Sequence, residues 1–207
     1  EGTPLEMKLG DWVITQAINQ LSEWQKLGLT FSISVNITGQ QLLQTDFIEK
    51  LNFLFNKYPN VPHDLLEFEI LESTALEIER SSQVIKEASN QLNVHFALDD
   101  FGTGYSSLAY LKQLPVSILK IDQTFVRDML EDVGDYAIIE AIIALAKVFD
   151  RKTVAEGVET EQHFVELQKM GCQVAQGYGI AKPMPASKFY DWYQDWYKTK
   201  LNSFLIQ

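Results

Sequence analysis

Residues 95–111 have the sequence HFALDDFGTGYSSLAYL, which contains a complete strand–turn–helix pattern. An apolar run typical of a buried strand ends in two adjacent aspartates, Asp99 and Asp100, before a glycine-containing turn and a helical segment. Adjacent carboxylates repel each other, and burial of either one without a partner is costly. A strand that leaves the core at these two residues therefore requires compensating groups elsewhere in the chain.

The same order of strand and helix recurs along the chain. Strand patterns are found at residues 31–37, 65–71, 94–100, 117–122, 153–158 and 172–178. Helical patterns lie before or between them, at residues 11–27, 46–58, 80–92, 137–149 and 161–170. The aromatic segment 187–201 predicts a further amphipathic helix that packs on the domain. Such alternation is typical of a parallel sheet.

The number of strands leaves two α/β architectures open. A closed (β/α)8 barrel has eight strands in typically about 250 residues, whereas six strands are visible here. Residues 1–14 also lead directly into a helix, without a preceding strand. The fold is therefore either an open doubly wound sheet or a TIM-like barrel that lacks its N-terminal strands.

The composition favours one globular domain and narrows the choice of partners. With 207 residues, of which 46% are hydrophobic, the chain can bury a sizeable core. The net charge of −11 argues against a binding surface for a nucleic-acid polymer. The longest apolar run, residues 137–149, is interrupted by Glu140, so no membrane contact is predicted from this segment. The single Cys172 allows no internal disulfide, and we expect a cytoplasmic protein or the cytoplasmic domain of a larger one.

Every predicted strand ends in a residue that can bind a metal ion, a phosphate group or water. These residues are Asn36, Glu69, Asp99, Asp100, Lys120, Asp122, Glu156 and Gln176. Asp and Asn also favour turns after strands, but Glu, Lys and Gln do not. Because the carboxyl ends of barrel strands meet at one mouth, where active sites lie, the pattern predicts a functional site there.

The carboxylates of Glu69, Asp99, Asp100 and Glu156 would place a charge of about −4 in that mouth. One lysine does not balance this charge, whereas two divalent cations do. Oxygen-rich sites select hard ions such as Mg²⁺ or Mn²⁺, and a pair of metals supports in-line phosphoryl displacement by activating water. The three histidines are far apart in sequence, so a structural zinc site is not expected.

Lys120 lies late on a strand and is compatible with two chemical roles. A lysine at this place in a barrel can form a Schiff base, as in aldolases, or can orient water and stabilise charge on a phosphoryl group. Neighbouring carboxylates raise the pKa of a lysine, which disfavours the neutral amine that a Schiff base needs. The sequence favours the electrostatic role, with which a salt bridge to Asp100 or Glu156 is compatible.

The segment FGTGYSSL, residues 101–108, matches neither a Walker loop nor the GxGxxG motif. Gly102 and Gly104 permit unusual backbone angles, and Ser106 or Ser107 can cap the helix that follows. The segment is a tight strand-to-helix turn or a mobile loop that brings Asp100 to a metal site, and both descriptions can hold together.

Several motifs follow one another in order along the chain. They are DDFGTGYSSL at 99–108, LP at 114–115, LKID at 119–122, FV at 125–126, VAEGVET at 154–160, QGY at 176–178 and KPMP at 182–185. Together they resemble the motifs of the EAL-domain family. The resemblance begins at LGDWVI, residues 9–14, and covers nearly the whole chain. It implies a modified (β/α)8 barrel, with residues 1–207 as a single domain that is incomplete at its N-terminus. It also implies hydrolysis of one phosphodiester of cyclic di-GMP to linear pGpG, a bacterial second-messenger reaction.

The resemblance implies roles for particular residues of this chain. Two Mg²⁺ or Mn²⁺ ions would be held by Asn36, Glu69, Asp99, Asp100 and Glu156. The catalytic residues would be Lys120, Asp99, Asp100 and Glu156, and Lys120 would contact the attacking water. The implied substrate and loop residues are Gln176, Glu72, Glu159, Asp122, Phe101, Gly102, Thr103 and Gly104. Among these, Glu72 would anchor the loop.

The chain also departs from the family pattern. The glutamate of the E-A-L signature is expected on a strand upstream of Asn36, and its absence predicts weak turnover or none by this chain. Leu71 replaces a usual threonine, and Gly179 and Ile180 stand where bulkier or polar residues are common.

Two other functions and one assembly are compatible with the sequence. The first alternative is a receptor that binds cyclic di-GMP without cleaving it, and the upstream strand would discriminate between the two functions. The second is a Schiff-base aldolase on the same barrel. EAL domains commonly pair through helices near the barrel rim, so residues 136–149 are a candidate for homodimer formation. Packing of that segment against the core explains its apolar character equally well.

Overall fold

A computed structural model of the chain describes residues 3–71, 78–103 and 108–201. Within these ranges the strands are β1 (Ile33–Asn36), β2 (Leu66–Leu71), β3 (His95–Phe101), β4 (Ile118–Ile121), β5 (Lys152–Ala155) and β6 (Val174–Ala175). The helices are α1 (Pro4–Lys26), α2 (Gly39–Leu42), α3 (Phe47–Lys57), α4 (Ile78–Leu92), α5 (Leu108–Gln113), α6 (Gln123–Asp128), α7 (Val133–Val148), α8 (Glu161–Met170) and α9 (Ala186–Trp196). A short 3₁₀ helix, His63–Leu65, precedes β2, and a π-helical segment, Tyr197–Leu201, continues α9.

The strands form one parallel sheet in which neighbours in sequence are also neighbours in space. Each crossover between successive strands contains at least one helix. A doubly wound sheet reverses its strand order at a switch point, and this sheet does not. The sheet curls into a half-barrel, which confirms the predicted TIM-like architecture with six visible strands.

The central strands β3 and β4 supply the middle of the core. All of β4 is buried, and only His95 and Asp100 of β3 are partly exposed. The rings of Phe68 in β2 and Phe96 in β3 are fully buried, and their centroids lie 5.4 Å apart. Parallel strands covered on both faces have continuous apolar sequences, and this is why these strands were predictable.

Helix α1 begins at Pro4, well before the start predicted at Asp11. The hydroxyl of Thr3 accepts a hydrogen bond of 3.3 Å from the backbone N–H of Glu6, which caps the helix. Proline suits the first turn of a helix because its missing N–H is not needed there. The Thr3–Pro4 pair is therefore the local signal that starts the helix.

Helix α9 packs on the domain, as the sequence predicts. The ring of Phe189 lies 5.0 Å from that of Trp24 and 5.2 Å from that of Phe31, measured between centroids. The ring of Tyr193 lies 4.7 Å from that of Phe31. These contacts join α9, the helix that follows β6 in the chain, to residues that precede β1.

Helix α7 contains the apolar segment 137–149. One of its faces is buried, through Ile139, Ile142, Ile143 and Ala146. The other face exposes apolar side chains, among them Ile138 and Val148. Across the three described ranges, no helix combines the length and the apolar character that crossing a bilayer requires.

Candidate active site

The carboxyl ends of the strands bring several of the predicted residues to one mouth. Glu69 in β2, Asp99 in β3 and Lys120 in β4 are buried. Glu156 follows β5 directly, and its backbone N–H donates a hydrogen bond of 3.1 Å to the carbonyl of Ile121. This bond continues the pairing of β5 with β4 and places the Glu156 side chain at the same level of the sheet.

The side chain of Lys120 is the centre of the mouth. It is only 3% exposed. Its Nζ lies 2.6 Å from Glu69 Oε2, 2.6 Å from Glu156 Oε1 and 2.9 Å from Asp99 Oδ1. One buried ammonium therefore contacts carboxylates from three different strand ends. Removal of these charged groups from water is costly, and the arrangement is stable only because the charges are paired.

The adjacent aspartates reach the same site because the end of β3 is irregular. In a regular strand, successive side chains point to opposite faces of the sheet. Here the pairing of β3 with β4 shifts by one residue between Leu98 and Phe101, and Asp100 has a left-handed φ of 53°. Such a β-bulge redirects a side chain. As a result, carboxylate oxygens of Asp99, Asp100 and Glu156 lie within 4.8 Å of one another.

This carboxylate triad fits a divalent cation. Asp99 Oδ1 is buried and lies 2.9 Å from Lys120 Nζ. That one ammonium also contacts Glu69 and Glu156, so carboxylates outnumber positive charges in the mouth, and a bound cation would reduce this excess. The all-oxygen ligand set selects a hard ion such as Mg²⁺ or Mn²⁺.

The carboxyl groups of Asp100 and Asp122 share a hydrogen bond. Burial raises the pKa of Asp100 to about 6, and the hydrogen bond with Asp122 and the charge of Asp99 act in the same direction. Burial also acts to raise the pKa of Asp122, but hydrogen bonds from the hydroxyl and the backbone N–H of Thr124 outweigh it and lower that pKa. Below about pH 6, where the pair holds one proton, that proton therefore belongs to Asp100 and the negative charge to Asp122.

The other ionisable groups of the mouth are shifted by the same forces. Burial raises the pKa of Glu69 and of Glu156, and hydrogen bonds from Lys120 oppose the shift. Burial alone would lower the pKa of Lys120, but its contacts with Glu156, Glu69 and Asp99 raise it well above its usual value. Lys120 is therefore a permanent cation at neutral pH, which argues against a Schiff-base aldolase.

Asn36 and Gln176 lie near the two edges of the half-barrel, and both are exposed. Asn36 is the last residue of β1 and is paired in register with Glu69. Gln176 follows β6, and its backbone N–H donates a hydrogen bond of 2.8 Å to the carbonyl of Ala155. The structure thus places Asn36 beside Glu69, and Gln176 beside the residue that precedes Glu156.

The remaining predicted residues divide into three groups. Phe101 and Gly102 follow the aspartates, and the hydroxyl of Thr103 donates a hydrogen bond of 2.9 Å to the carbonyl of Asp100. Glu159 is exposed, and its negative charge interacts with the guanidinium group of Arg127. Glu72 and Gly104 lie outside the residues that the structure describes.

Gly102 is required by its surroundings. Its φ is +104°, and a Cβ atom there would lie 3.1 Å from the ring of Phe125 and 3.2 Å from Ile142. The turn after the aspartates therefore packs closely on helices α6 and α7, which larger residues would prevent.

Thr124 supports the site, although it is not among the residues predicted from the sequence. Its hydroxyl and backbone N–H both donate to Asp122, and this fixes the start of α6. The spacing Asp-x-Thr at the beginning of a helix is the local signal for such a cap.

Two glycines after β6 allow close packing of the loops at the mouth. A Cβ atom on Gly177 would lie 2.3 Å from the backbone nitrogen of Val158, and one on Gly179 would lie 2.6 Å from the carbonyl carbon of Glu159. The backbone N–H of Gly179 also donates to the Val158 carbonyl at 2.9 Å. The departure from the family pattern at Gly179 therefore has a structural reason, since a larger residue would separate these loops.

Comparison with known proteins identifies the family to which the chain belongs. The family model of the EAL domain matches residues 1–183. The bifunctional diguanylate cyclase/cyclic di-GMP phosphodiesterase MucR of Pseudomonas aeruginosa is 39% identical over 189 residues, or 91% of this chain and 27% of MucR. The cyclic di-GMP phosphodiesterase PdeR of Escherichia coli is 34% identical over 198 residues, or 96% of this chain and 30% of PdeR. The chain thus spans less than a third of the length of these two relatives.

Solved structures of related proteins have the same fold. The phosphodiesterase PaMucR, solved as a c-di-GMP complex, is similar with a TM-score of 0.84 and 36% identity, covering 89% of this chain and 75% of that one. The EAL domain of Mycobacterium smegmatis DcpA gives a TM-score of 0.85 and 36% identity, covering 92% and 86% of the two chains. Sequence, fold and strand-end residues together show that this chain belongs to the EAL domain family.

Proposed function

We propose that this chain forms the main part of a metal-dependent phosphodiesterase domain that hydrolyses cyclic di-GMP to linear pGpG. The observation that carries the proposal is the buried ammonium of Lys120, which contacts carboxylates from three strand ends beside a triad of convergent carboxylates. Such a mouth suits an anionic phosphodiester only when cations are added. The names of the relatives MucR and PdeR, which include cyclic di-GMP phosphodiesterase, support this substrate.

The mouth would hold two divalent cations, Mg²⁺ or Mn²⁺. The proposed ligands are Asn36, Glu69, Asp99, Asp100 and Glu156. Bound there, the cations would neutralise phosphate oxygens and lower the pKa of the attacking water. The chain contributes the orientation of the ligands, because the β3 bulge directs both aspartates into the mouth and Lys120 fixes Glu69 and Glu156.

Lys120 has a second task in this proposal. As a permanent cation in a buried site, it would donate a hydrogen bond that orients the attacking water and stabilise the negative charge that develops on the phosphoryl oxygens. The charged carboxylate of Asp122, fixed by Thr124, would remain beside Asp100, whose carboxyl group would release its proton when a cation binds.

We further propose that the complete domain includes strands upstream of α1, one of which carries the E-A-L glutamate. The described residues before β1 form helix α1 and contain no strand. None of the described strands pairs with β1 on the side away from β2, and such a strand edge can accept a further strand. A parallel strand bound there would place a carboxylate next to Asn36.

The same edge favours a second candidate function, a receptor that binds cyclic di-GMP without cleaving it. Without a further carboxylate beside Asn36, the proposed metal pair lacks one of its ligands, and binding would then proceed without turnover.

Chromatography of cyclic di-GMP incubated with Mn²⁺ discriminates between the two functions. One sample contains the 207-residue chain, and a parallel sample contains a chain extended upstream through the next two strands. The phosphodiesterase proposal predicts pGpG from the extended chain and little or none from the short one. Binding without pGpG in both samples would instead support the receptor.

Helix α7 is the proposed homodimer surface. Its face opposite the core exposes Ile138, Val148 and Val133, the last of which is 84% exposed. An Ile138→Glu substitution should shift a dimer to monomer in light scattering, whereas Glu140→Gln on the same helix should not. A monomer at all concentrations of the unsubstituted chain would exclude this surface.

A further inference from the structure

A groove between helices α1 and α3 lies outside the proposed active site. Its volume is about 390 Å³, which is within the range of small-molecule sites. Ile14, Phe47 and Leu51 are buried and form an apolar lining, with Leu54 beside them. The ring of Phe53 also lines the groove and is 69% exposed. The groove therefore offers apolar contact area for about one ring-sized group.

The polar part of the groove is negatively charged. Asp11, Asp46 and Glu49 contribute carboxylates, and Lys50 contributes the one cation among the lining residues. Lys50 Nζ lies 3.3 Å from Asp11 Oδ2 and 3.3 Å from Asp46 Oδ2, so this ammonium bridges α1 and α3. The side chains of all three members of this bridge are 40–50% exposed, and a ligand could reach them from solvent.

We propose that this groove binds a small apolar amine. Its ring-sized apolar group would cover Phe47, Leu51 and Phe53, and its ammonium or guanidinium group would pair with Asp11 and Asp46. Charge complementarity selects a cation over an anion, because carboxylates outnumber ammonium groups in the lining. The apolar lining selects an organic amine over an inorganic cation. The ligand would compete with Lys50 for the same two carboxylates.

The groove is connected to the mouth of the half-barrel through a buried glutamine. Gln41 in α2 is 3% exposed, and its side-chain amide donates a hydrogen bond of 3.5 Å to Asp11 Oδ1. Only Ile37 and Thr38 separate α2 from Asn36 at the end of β1. A ligand that pairs with Asp11 should therefore change the surroundings of residues 37–42.

Amide NMR of the ¹⁵N-labelled chain, titrated with 4-phenylbutylamine, tests this inference. We expect saturable shifts in α1, α3 and residues 37–42, and none from 4-phenylbutyrate, which has the same ring and the opposite charge. Lys50→Met should tighten binding of the amine about fivefold, because its competitor for the carboxylates is removed. The matched control Lys26→Met removes an equal charge at the other end of α1 and should leave the affinity unchanged.

A second variant keeps the test decisive if Lys50→Met is unstable. Thr15→Phe should fill the groove and abolish the shifts while leaving the rest of the spectrum in place. Three results would overturn the inference: no saturable shift at millimolar amine, equal shifts from amine and acid, or equal tightening by Lys50→Met and Lys26→Met. Because the titration contains no cyclic di-GMP, its outcome is independent of the proposed function.

Discussion

At the scale of single residues, Asp100 combines a side-chain role with a backbone role. Its carboxylate lies in the triad, and its backbone adopts a left-handed φ of 53°. Asparagine tolerates this conformation better than alanine does. We expect Asp100→Asn and Asp100→Ala both to abolish cleavage by the extended chain, and the alanine variant to be less stable than the asparagine variant by about 1 kcal/mol. Urea denaturation measures this difference, and equal stabilities would contradict the backbone role.

Substitution of Lys120 tests whether the cluster of carboxylates around it depends on one ammonium for its stability. Lys120→Met would leave Glu69, Asp99 and Glu156 near one another without a positive charge, and we expect a loss of about 3–5 kcal/mol in the free energy of unfolding in chelator. Lys26→Met is the matched control, because its ion pair with Glu23 is exposed and should contribute less than about 1 kcal/mol. A similar small loss for both variants would show that the buried cluster does not depend on Lys120.

The raised pKa of Asp100 predicts a dependence of stability on pH. Burial raises this pKa from 3.8 to about 6, so the folded chain holds the proton more tightly than the unfolded chain does. The free energy of unfolding should therefore fall as pH rises from about 4 to about 6, and the contribution of Asp100 should then level off. Asp100→Asn should reduce that slope in chelator, although Glu69 and Glu156, whose pKa values are also raised, retain their share. An unchanged slope in this variant would contradict the assignment.

The polar residues at the strand ends were predictable because each lies near the carboxyl end of a segment with a strand pattern. Glu69, Asp99 and Lys120 needed only the strand pattern and the rule that parallel strands end on the same side. The β-bulge at Asp100 was not predictable, because it depends on how β3 pairs with β4, which is distant in sequence. The hydrogen bond between Asp100 and Asp122 depends on the same pairing.

At the scale of secondary structure elements, the longer helices were predictable from the sequence and two of the short ones were not. Helices such as α7 and α8 contain enough turns to show an apolar period, and the structure has them close to the predicted bounds. Helices α2 and α6 have four and six residues, too few for a period, and they were not predicted. Their caps, Thr38 and Asp122, were the available signals.

The close contact between the loops after β5 and β6 predicts that their packing positions the residues of the mouth. Gly177→Ala would bring a Cβ atom to 2.3 Å from the nitrogen of Val158, so the two loops must separate. We expect loss of stability and of cyclic di-GMP cleavage by the extended chain. Gly28→Ala is the control, because its Cβ atom meets open space at a φ of +73°, and we expect a loss of about 1 kcal/mol with cleavage retained. Full cleavage by the Gly177 variant would show that this loop contact does not position the site.

At the scale of the whole molecule, the fold places negative charge where the proposed anionic substrate would bind. The chain has a net charge of −11, and the mouth of the half-barrel adds buried carboxylates to this acidic surface. A cyclic dinucleotide would be repelled by such a mouth unless cations were bound in it. The composition already indicated repulsion between the chain and an anionic ligand. The convergent carboxylates of Asp99, Asp100 and Glu156 indicate where bound cations would neutralise the negative charge.

The most direct test of this account is the time course of pGpG formation from cyclic di-GMP in Mn²⁺, measured by chromatography. The samples are the extended chain and the same chain with Asp99→Asn, which removes one anionic oxygen without changing the size of the side chain. We predict steady formation of pGpG by the unsubstituted chain and none by the variant. Equal rates in both would contradict the proposed carboxylate site, and the absence of pGpG in both would contradict phosphodiesterase activity itself.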